Sequence, residues 1–391
     1  MKSTIKSQAL MCLINYRVII YLIVLSGLIG CNSDESAKNK IKSLKINPYN
    51  KLVECNLSDI TSNLDTIFLE TKRESLIGLF SSLVYLDKEI IIYKSEEKII
   101  IFDGKGKYKN QIDASGKGPG EYTTILKVFV DNSRNWIHIV DIAGILIYNF
   151  EGSYIKTIET GFRPAGLYKN KEDNFIVPII QNYNEEDREM LNIYDSSFTR
   201  ISSFKSKNPD KYSNLEQHIF QVGNPYGFDN KVFYKEPFVD TIYQVYDTIL
   251  KPHIVLNLGD NKMSTAEGVN ILQNNEAKNK IHLSDMYESE NYFFLTYYFN
   301  ESTFFTVFNK ANEKVIGHIK YTQEDYKLDN GRVRFGIHND YFKNTLAFRP
   351  NYINDDQIVC VVSPAYLDVE ELKSLDCEMN DNPILFVALL K

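Results

Sequence analysis

Five times along the chain a β-rich run closes on an aromatic residue, turns, and continues as a second run. The closing aromatics, Phe102, Tyr148, Tyr194, Tyr246 and Phe308, stand 46, 46, 52 and 62 residues apart. A repeat of this length constrains the fold strongly, because one such unit cannot bury its apolar face alone and must stack on the next. Asp103, Asn149, Asp195, Asp247 and Asn309 stand at or just after the closing aromatics and open the turns. Gly104 and Gly152 follow in the first two, which suits hairpins that need positive φ. A strand candidate precedes each run, at residues 89–93, 136–140, 175–180, 231–234 and 292–299, and a further one stands before that, as at 82–86 and 127–131. About four strands per 46-residue unit is the make-up of a propeller blade. The expected class is all-β, a six-bladed β-propeller with small helical insertions, spanning residues 45–391 as one domain. Residues 357–362 and 384–390 supply the sixth unit, and residues 65–71 near the other terminus can complete it. The longer later spacings leave seven blades open.

Two segments break the β pattern. Ser264-Thr265-Ala266-Glu267 fits a capping box and predicts a helix from there to about Ile281. Ser363-Pro364 predicts a second helix start, with Leu367, Leu372 and Leu375 as a partial apolar face.

The first thirty residues have a separate logic. Lys2, Lys6 and Arg17 carry all their charge, and the apolar run from Val18 to Ile29 is too short for a membrane-spanning helix of ~20 residues. A basic start and a short apolar stretch ending in small residues form an export signal. Leu28-Ile29-Gly30-Cys31 resembles the lipobox of bacterial lipoproteins, which implies cleavage before Cys31 and lipidation of that residue. Residues 1–30 are thus read as a signal peptide and residues 31–44 as a lipidated tether. Asn32-Ser33-Asp34-Glu35 resembles the acidic tag that sends lipoproteins of the Bacteroides group to the outer face of the outer membrane. The resemblance implies a cell-envelope, outer-membrane location, with surface exposure left open.

Without residues 1–30 the chain has 41 basic and 51 acidic residues, a net charge of −10. That balance speaks against a nucleic-acid partner, which needs a basic face. Cys55, Cys360 and Cys377 remain after Cys12 and Cys31 are accounted for, so at most one disulfide forms; Cys360 and Cys377 are nearer in sequence, and the pairing stays open.

Gly116-Lys117-Gly118-Pro119-Gly120-Glu121-Tyr122 resembles the GxGPGE(Y/F) motif of six-bladed, NHL-like propeller lipoproteins of the Bacteroides group. Asp240-Thr241-Ile242-Tyr243 and Asn382-Pro383-Ile384 fit the same family. The resemblance implies the fold and the surface location. Most members have no assigned reaction, so no catalytic residue is carried over.

Candidate binding residues are Lys117 and Glu121 in the glycine-rich loop, whose N–H groups can cradle an anion, and Arg163, placed to hold a carboxylate at a channel mouth. The plainer reading of the loop is a connection between blades, with Glu121 capping backbone groups. Ca²⁺ is a possible cofactor through Asp131, Asp141, Asp173 and Asp240 near strand ends, although acidic turn residues are also the default in hairpins. His138, His218, His253, His282, His318 and His338 share no metal or triad spacing, and His138 reads as a core residue. No metal ligand or catalytic residue is assigned. The favoured function is an envelope-anchored binding or scaffold module for a glycan, peptide or protein partner. The alternative is a metal-assisted hydrolase, lactonase or lyase with a site in the propeller channel.

Overall fold

The computed structural model describes residues 41–78, 81–182, 188–207, 220–268, 279–322, 324–325, 336–341, 347–354 and 356–391. The signal peptide, Cys31 and most of the tether lie outside the described residues.

Six antiparallel sheets follow one another along the chain and form the six-bladed propeller. Blade 1 is Ser82–Leu86, Ile90–Lys94, Ile99–Asp103 and Tyr108–Ile112. Blade 2 is Lys127–Asp131, Trp136–Asp141, Gly144–Asn149 and Tyr154–Glu159. Blade 3 is Tyr168–Lys169, Phe175–Pro178, Glu189–Tyr194 and Arg200–Lys205. Blade 4 is Asn224–Phe228, Lys231–Lys235, Thr241–Val245 and Leu250–Asn257, with Lys42–Lys45 added as a fifth, outer strand. That strand begins inside the segment read as tether. Blade 5 is His282–Glu288, Tyr292–Phe299, Ser302–Asn309 and Lys314–Thr322. Blade 6 takes Tyr352–Ile353, Gln357–Val362 and Ile384–Leu390 from the C-terminal end, and its fourth strand is Thr61–Phe68. Seven blades are thereby excluded. The closing strand starts and stops earlier than residues 65–71, because Thr61 to Phe68 run in register against Leu390 to Ile384.

The sequence pattern explains which strand goes where. Second and third strands are near-continuous apolar runs, such as Ile90–Lys94 and Tyr292–Phe299, buried on both faces because both faces pack against neighbouring blades. Fourth strands are polar and exposed, as in Tyr154–Glu159 and Arg200–Lys205. The core is accordingly not one mass but six clusters, one between each pair of neighbours. Fully buried Phe233 and Phe293 in the layer between blades 4 and 5, and Tyr93 and Phe102 between blades 6 and 1, show how Tyr and Phe fill this space. Each such side chain contributes ~1.5–3 kcal/mol.

Four of the five turn openers cap their own turns, while the Asp247 carboxylate accepts from Asn170 and Asn174 Nδ2 of blade 3. Asp103 accepts the N–H groups of Lys105 and Lys107, Asn149 that of Ser153, Asp195 those of Ser197 and Thr199, and Asn309 those of Ala311 and Asn312. The third unit departs from expectation: Phe198 sits in the turn at φ 62°, and the strand begins at Arg200.

The Ser264/Glu267 capping box forms, with Ser264 N–H donating to Glu267 Oε2 at 2.8 Å, and residues 265–268 enter a helical turn. Residues 269–278 of the expected helix lie outside the described residues. The second helix starts later than Ser363 suggests. Pro364–Tyr366 is a 3₁₀ turn, and the α-helix Val369–Leu375 is capped by Asp368, which accepts from Glu370 and Glu371 N–H. Leu367, Leu372 and Leu375 do pack together, in the layer between blades 5 and 6. Among the described residues no helix is long and apolar enough to cross a membrane. Cys55, Cys360 and Cys377 are all free thiols.

Candidate functional site

The first strands of the blades surround the central channel, and those of blades 1 and 2 and of blades 4 and 5 touch directly. All of them run the same way, so the propeller has two chemically distinct ends. At the entry end, first strands begin; the inter-blade loops and the second-to-third turns lie here. At the exit end, first strands finish; the first-to-second and third-to-fourth turns lie there.

The exit end is clasped shut by buried carboxylates. Asp131, the last residue of its strand in blade 2, has a fully buried side chain and bonds Lys169 Nζ of blade 3 at 2.6 Å and Arg134 Nη1 at 2.5 Å. Arg134 and Lys169 also hold Asp173 in blade 3. Burial pushes the Asp131 carboxyl up, but Lys169, Ser133 and Arg134 outweigh it and hold it at about 2. Glu288, at the end of the first strand of blade 5, repeats the device. Its buried carboxylate accepts from Tyr226 Oη at 2.9 Å and lies 2.9 Å from His253 Nε2, both in blade 4, and 2.6 Å from Lys310 Nζ. Burial is again outweighed, first by His253 and then by Lys310, and the carboxyl titrates below its usual range.

The entry end is organised differently. Lys127 of blade 2 is reached by solvent yet enclosed enough that desolvation lowers its ammonium, with Asp285 of blade 5 opposing that shift and Lys94 reinforcing it. Blades 2 and 5 stand opposite each other in a ring of six, so the two charges act on each other across the channel. Tyr168 and Tyr287, on the first strands of blades 3 and 5, pack against the inter-blade layers, and burial drives both phenols up. Asp285 raises Tyr287 further, to about 12, while Arg349 acts the other way. Among the described residues Lys94, Lys127 and Arg349 form no ion pair. Leu126 and Ile142, 39 % and 47 % exposed, flank Lys127 on the same end.

A cavity of about 70 Å³ opens at this end between blades 4 and 5. Lys235, Pro237, Phe238 and Asp240 line it from the second-to-third turn of blade 4, Leu258, Lys262, Met263 and Ile281 from the following insertion, and His282 and Leu283 from blade 5.

The residues singled out from sequence do not converge. Glu121 closes the glycine-rich loop on itself: its Oε2 accepts Gly118 N–H at 2.8 Å, and a Cβ at Gly116 would lie 1.9 Å from that oxygen. Gly120 has φ 78°, and Tyr148 donates to its carbonyl. This is the geometry of a connector between blades 1 and 2. Lys117 is exposed on it, and Arg163 is exposed on the loop between blades 2 and 3; both are at the entry end. Of the four aspartates, Asp131 and Asp173 meet through shared cations, Asp141 accepts from Thr123 and Thr124, and Asp240 pairs with Lys262 at 2.8 Å. Among the described residues no three His, Cys, Asp or Glu side chains gather as a metal site. His138 is buried among Phe129, Trp136, Phe175 and Phe198, and desolvation lowers its imidazole to about 4. His253 joins the Glu288 clasp and His282 borders the cavity. Lys94, Lys127, Asp285, Arg349 and Lys235 were invisible in the sequence, since only the closed ring brings them to one end.

The fold defines a six-bladed β-propeller with two chemically distinct ends. The chain belongs to the DUF4934 family, a domain of unknown function, matched over residues 41–388. Among solved structures it is similar to an inferred exported protein of Bacteroides fragilis, with TM-score 0.65 and 19 % identity over 90 % of this chain and 100 % of that one. A protein of unknown function from Bacteroides caccae aligns at TM-score 0.38 and 11 % identity, covering 61 % and 81 %. BamB from Moraxella catarrhalis aligns at 0.38 and 13 %, covering 66 % and 67 %. No curated protein matches the chain.

Proposed function

We propose that this protein is an envelope binding module: a lipid on Cys31 holds it at the outer membrane, and the entry end of the propeller receives a peptide or protein partner. The observation that carries the reading is the contrast between the two ends. At the exit end the buried carboxylates Asp131 and Glu288 are fully engaged in inter-blade clasps. At the entry end Lys94, Lys127 and Arg349 are left for an incoming group, beside exposed Leu126 and Ile142. Cations next to apolar surface suit a protein segment with acidic and apolar residues better than a bare sugar. Export is supported by the lipobox-like Leu28-Ile29-Gly30-Cys31 and by the resemblance to the inferred exported protein of Bacteroides fragilis.

The test places a photo-crosslinking amino acid at Leu126 on the entry end and, separately, at Lys88 on the exit end, in cells. A discrete adduct from position 126 and none from position 88 is the expected outcome. Equal adducts from both ends, or none from 126, would remove the reading. In parallel, Cys31→Ala is expected to abolish fatty-acid labelling and release the chain from membranes; continued labelling contradicts the anchor.

A further inference from the structure

Lys235 is the last residue of the second strand of blade 4, and it is only 6 % exposed although it lines the entry-end cavity. An ammonium has three donors. Here one of them meets the Glu236 carbonyl at 3.2 Å. The carboxylates nearby are committed elsewhere. Asp240 binds Lys262 at 2.8 Å, and Glu236 accepts from Ser206 Oγ and from Lys207 N–H at 2.7 Å. Among the described residues no carboxylate is bonded to this ammonium; a buried ammonium in that state is costly, and an arriving anion relieves that cost.

The walls restrict which anion fits. Phe238, Leu258, Met263, Ile281 and Leu283 supply the apolar part of the lining, and Lys235, Asn224, His282 and the Asp240–Lys262 pair supply a polar part almost as large. An apolar recess with a few placed polar groups is the usual build of a small-ligand site. Phosphate or sulfate has no carbon chain and would leave the apolar part of the lining uncovered. Phe238 is held at φ 62°, an uncommon conformation for an aromatic residue, and its ring abuts Gly268, where a Cβ would lie 1.9 Å away.

We propose that this cavity is a binding site for a short aliphatic carboxylate, its charged end on Lys235 and its chain against Leu258, Met263 and Ile281. The site is separate from the partner surface at the channel mouth and does not depend on it. Burial, opposed by Asp240 and Glu236 and aided by Lys262, lowers the Lys235 ammonium to about 8. Binding therefore weakens as pH rises through that value.

Isothermal titration of the full chain at pH 7 compares propionate, butyrate and the uncharged isostere propionamide, and adds a short apolar tripeptide with a free or an amidated C-terminus. Saturable binding of propionate or butyrate, absent with propionamide and at least tenfold weaker in Lys235→Met, supports the site with a free carboxylate as ligand. Binding of the free-acid tripeptide alone supports it with a peptide end as the source. Met263→Phe, which fills the cavity and leaves Lys235 in place, is expected to abolish binding as well, and it serves if Lys235→Met does not fold. Equal binding of propionamide, undiminished affinity in both variants, or no binding by any carboxylate would overturn the proposal.

Discussion

Several side chains here are set by what surrounds them more than by their own chemistry. His138 is the clearest. Its imidazole lies against four aromatic rings, and desolvation, only partly opposed by Asp131, lowers it from 6.5 to about 4. In that window the unfolded chain binds a proton that the folded chain refuses. Stability therefore falls as pH drops below 6.5, with a slope of at most ~1.4 kcal/mol per pH unit from this residue. Urea unfolding at pH 7 and pH 5 is expected to show a smaller loss for His138→Phe than for the wild type; an unchanged pH slope contradicts this. That His138 belongs to the core was legible from its alternation with Trp136 and Val140. The capping by Asp103, Asn149, Asp195 and Asn309 was legible too, because a cap is local, a side chain reaching backbone a few residues away. The burial of Lys235 was not, because it depends on an insertion and on the next blade.

At the scale of elements, the blades are joined by apolar layers and, at the exit end, by charged clasps. Asp131 links blades 2 and 3, and Glu288 links blades 4 and 5. Removing the charge from Glu288 takes the carboxylate away from part-buried His253 and Lys310, and removing it from Asp131 leaves part-buried Arg134 and Lys169 with Asp173 as their carboxylate. Asp131→Asn and Glu288→Gln are each expected to lose ~3–5 kcal/mol in denaturant unfolding, the cost of breaking a buried ion pair from one side. A loss under ~1 kcal/mol would show that the clasp is only decorative. For Asp131 the sign with pH is fixed: its carboxyl is held at about 2, so its contribution is present above the unfolded value near 3.8 and fades as pH falls through 2. The sequence placed Asp131 and Asp173 near strand ends, as turn acids or Ca²⁺ ligands; in the fold Arg134 and Lys169 join the two. Strand boundaries were legible where apolar runs are long, as at Tyr292–Phe299. They were less so at Arg200–Lys205, where alternation is polar and the turn swallows Phe198.

The whole molecule depends on closing a ring. The pairing of Thr61–Phe68 with Ile384–Leu390 joins residues more than three hundred positions apart. Successive residues in an antiparallel strand alternate between facing the ladder and facing away. Replacing both Asp65 and Thr66 with Pro therefore removes at least one ladder donor. Faster amide exchange in Ile384–Leu390 is the expected sign, and unchanged exchange would mean that the ring does not rely on this strand. The blade count was readable from the repeat. The site was not, because Lys127 and Asp285 are 158 positions apart and meet only across the closed channel.

The most direct test of a one-ended binding module is charge reversal at each end, read as the size of the native complex extracted from membranes. Lys127→Glu with Arg349→Glu alters the entry end; Lys88→Glu with Lys314→Glu makes the same charge change at the exit end. The entry-end pair is expected to collapse the complex to the lone chain, and the exit-end pair to leave it intact. A complex that survives the entry-end pair, or is lost equally with both, would contradict it.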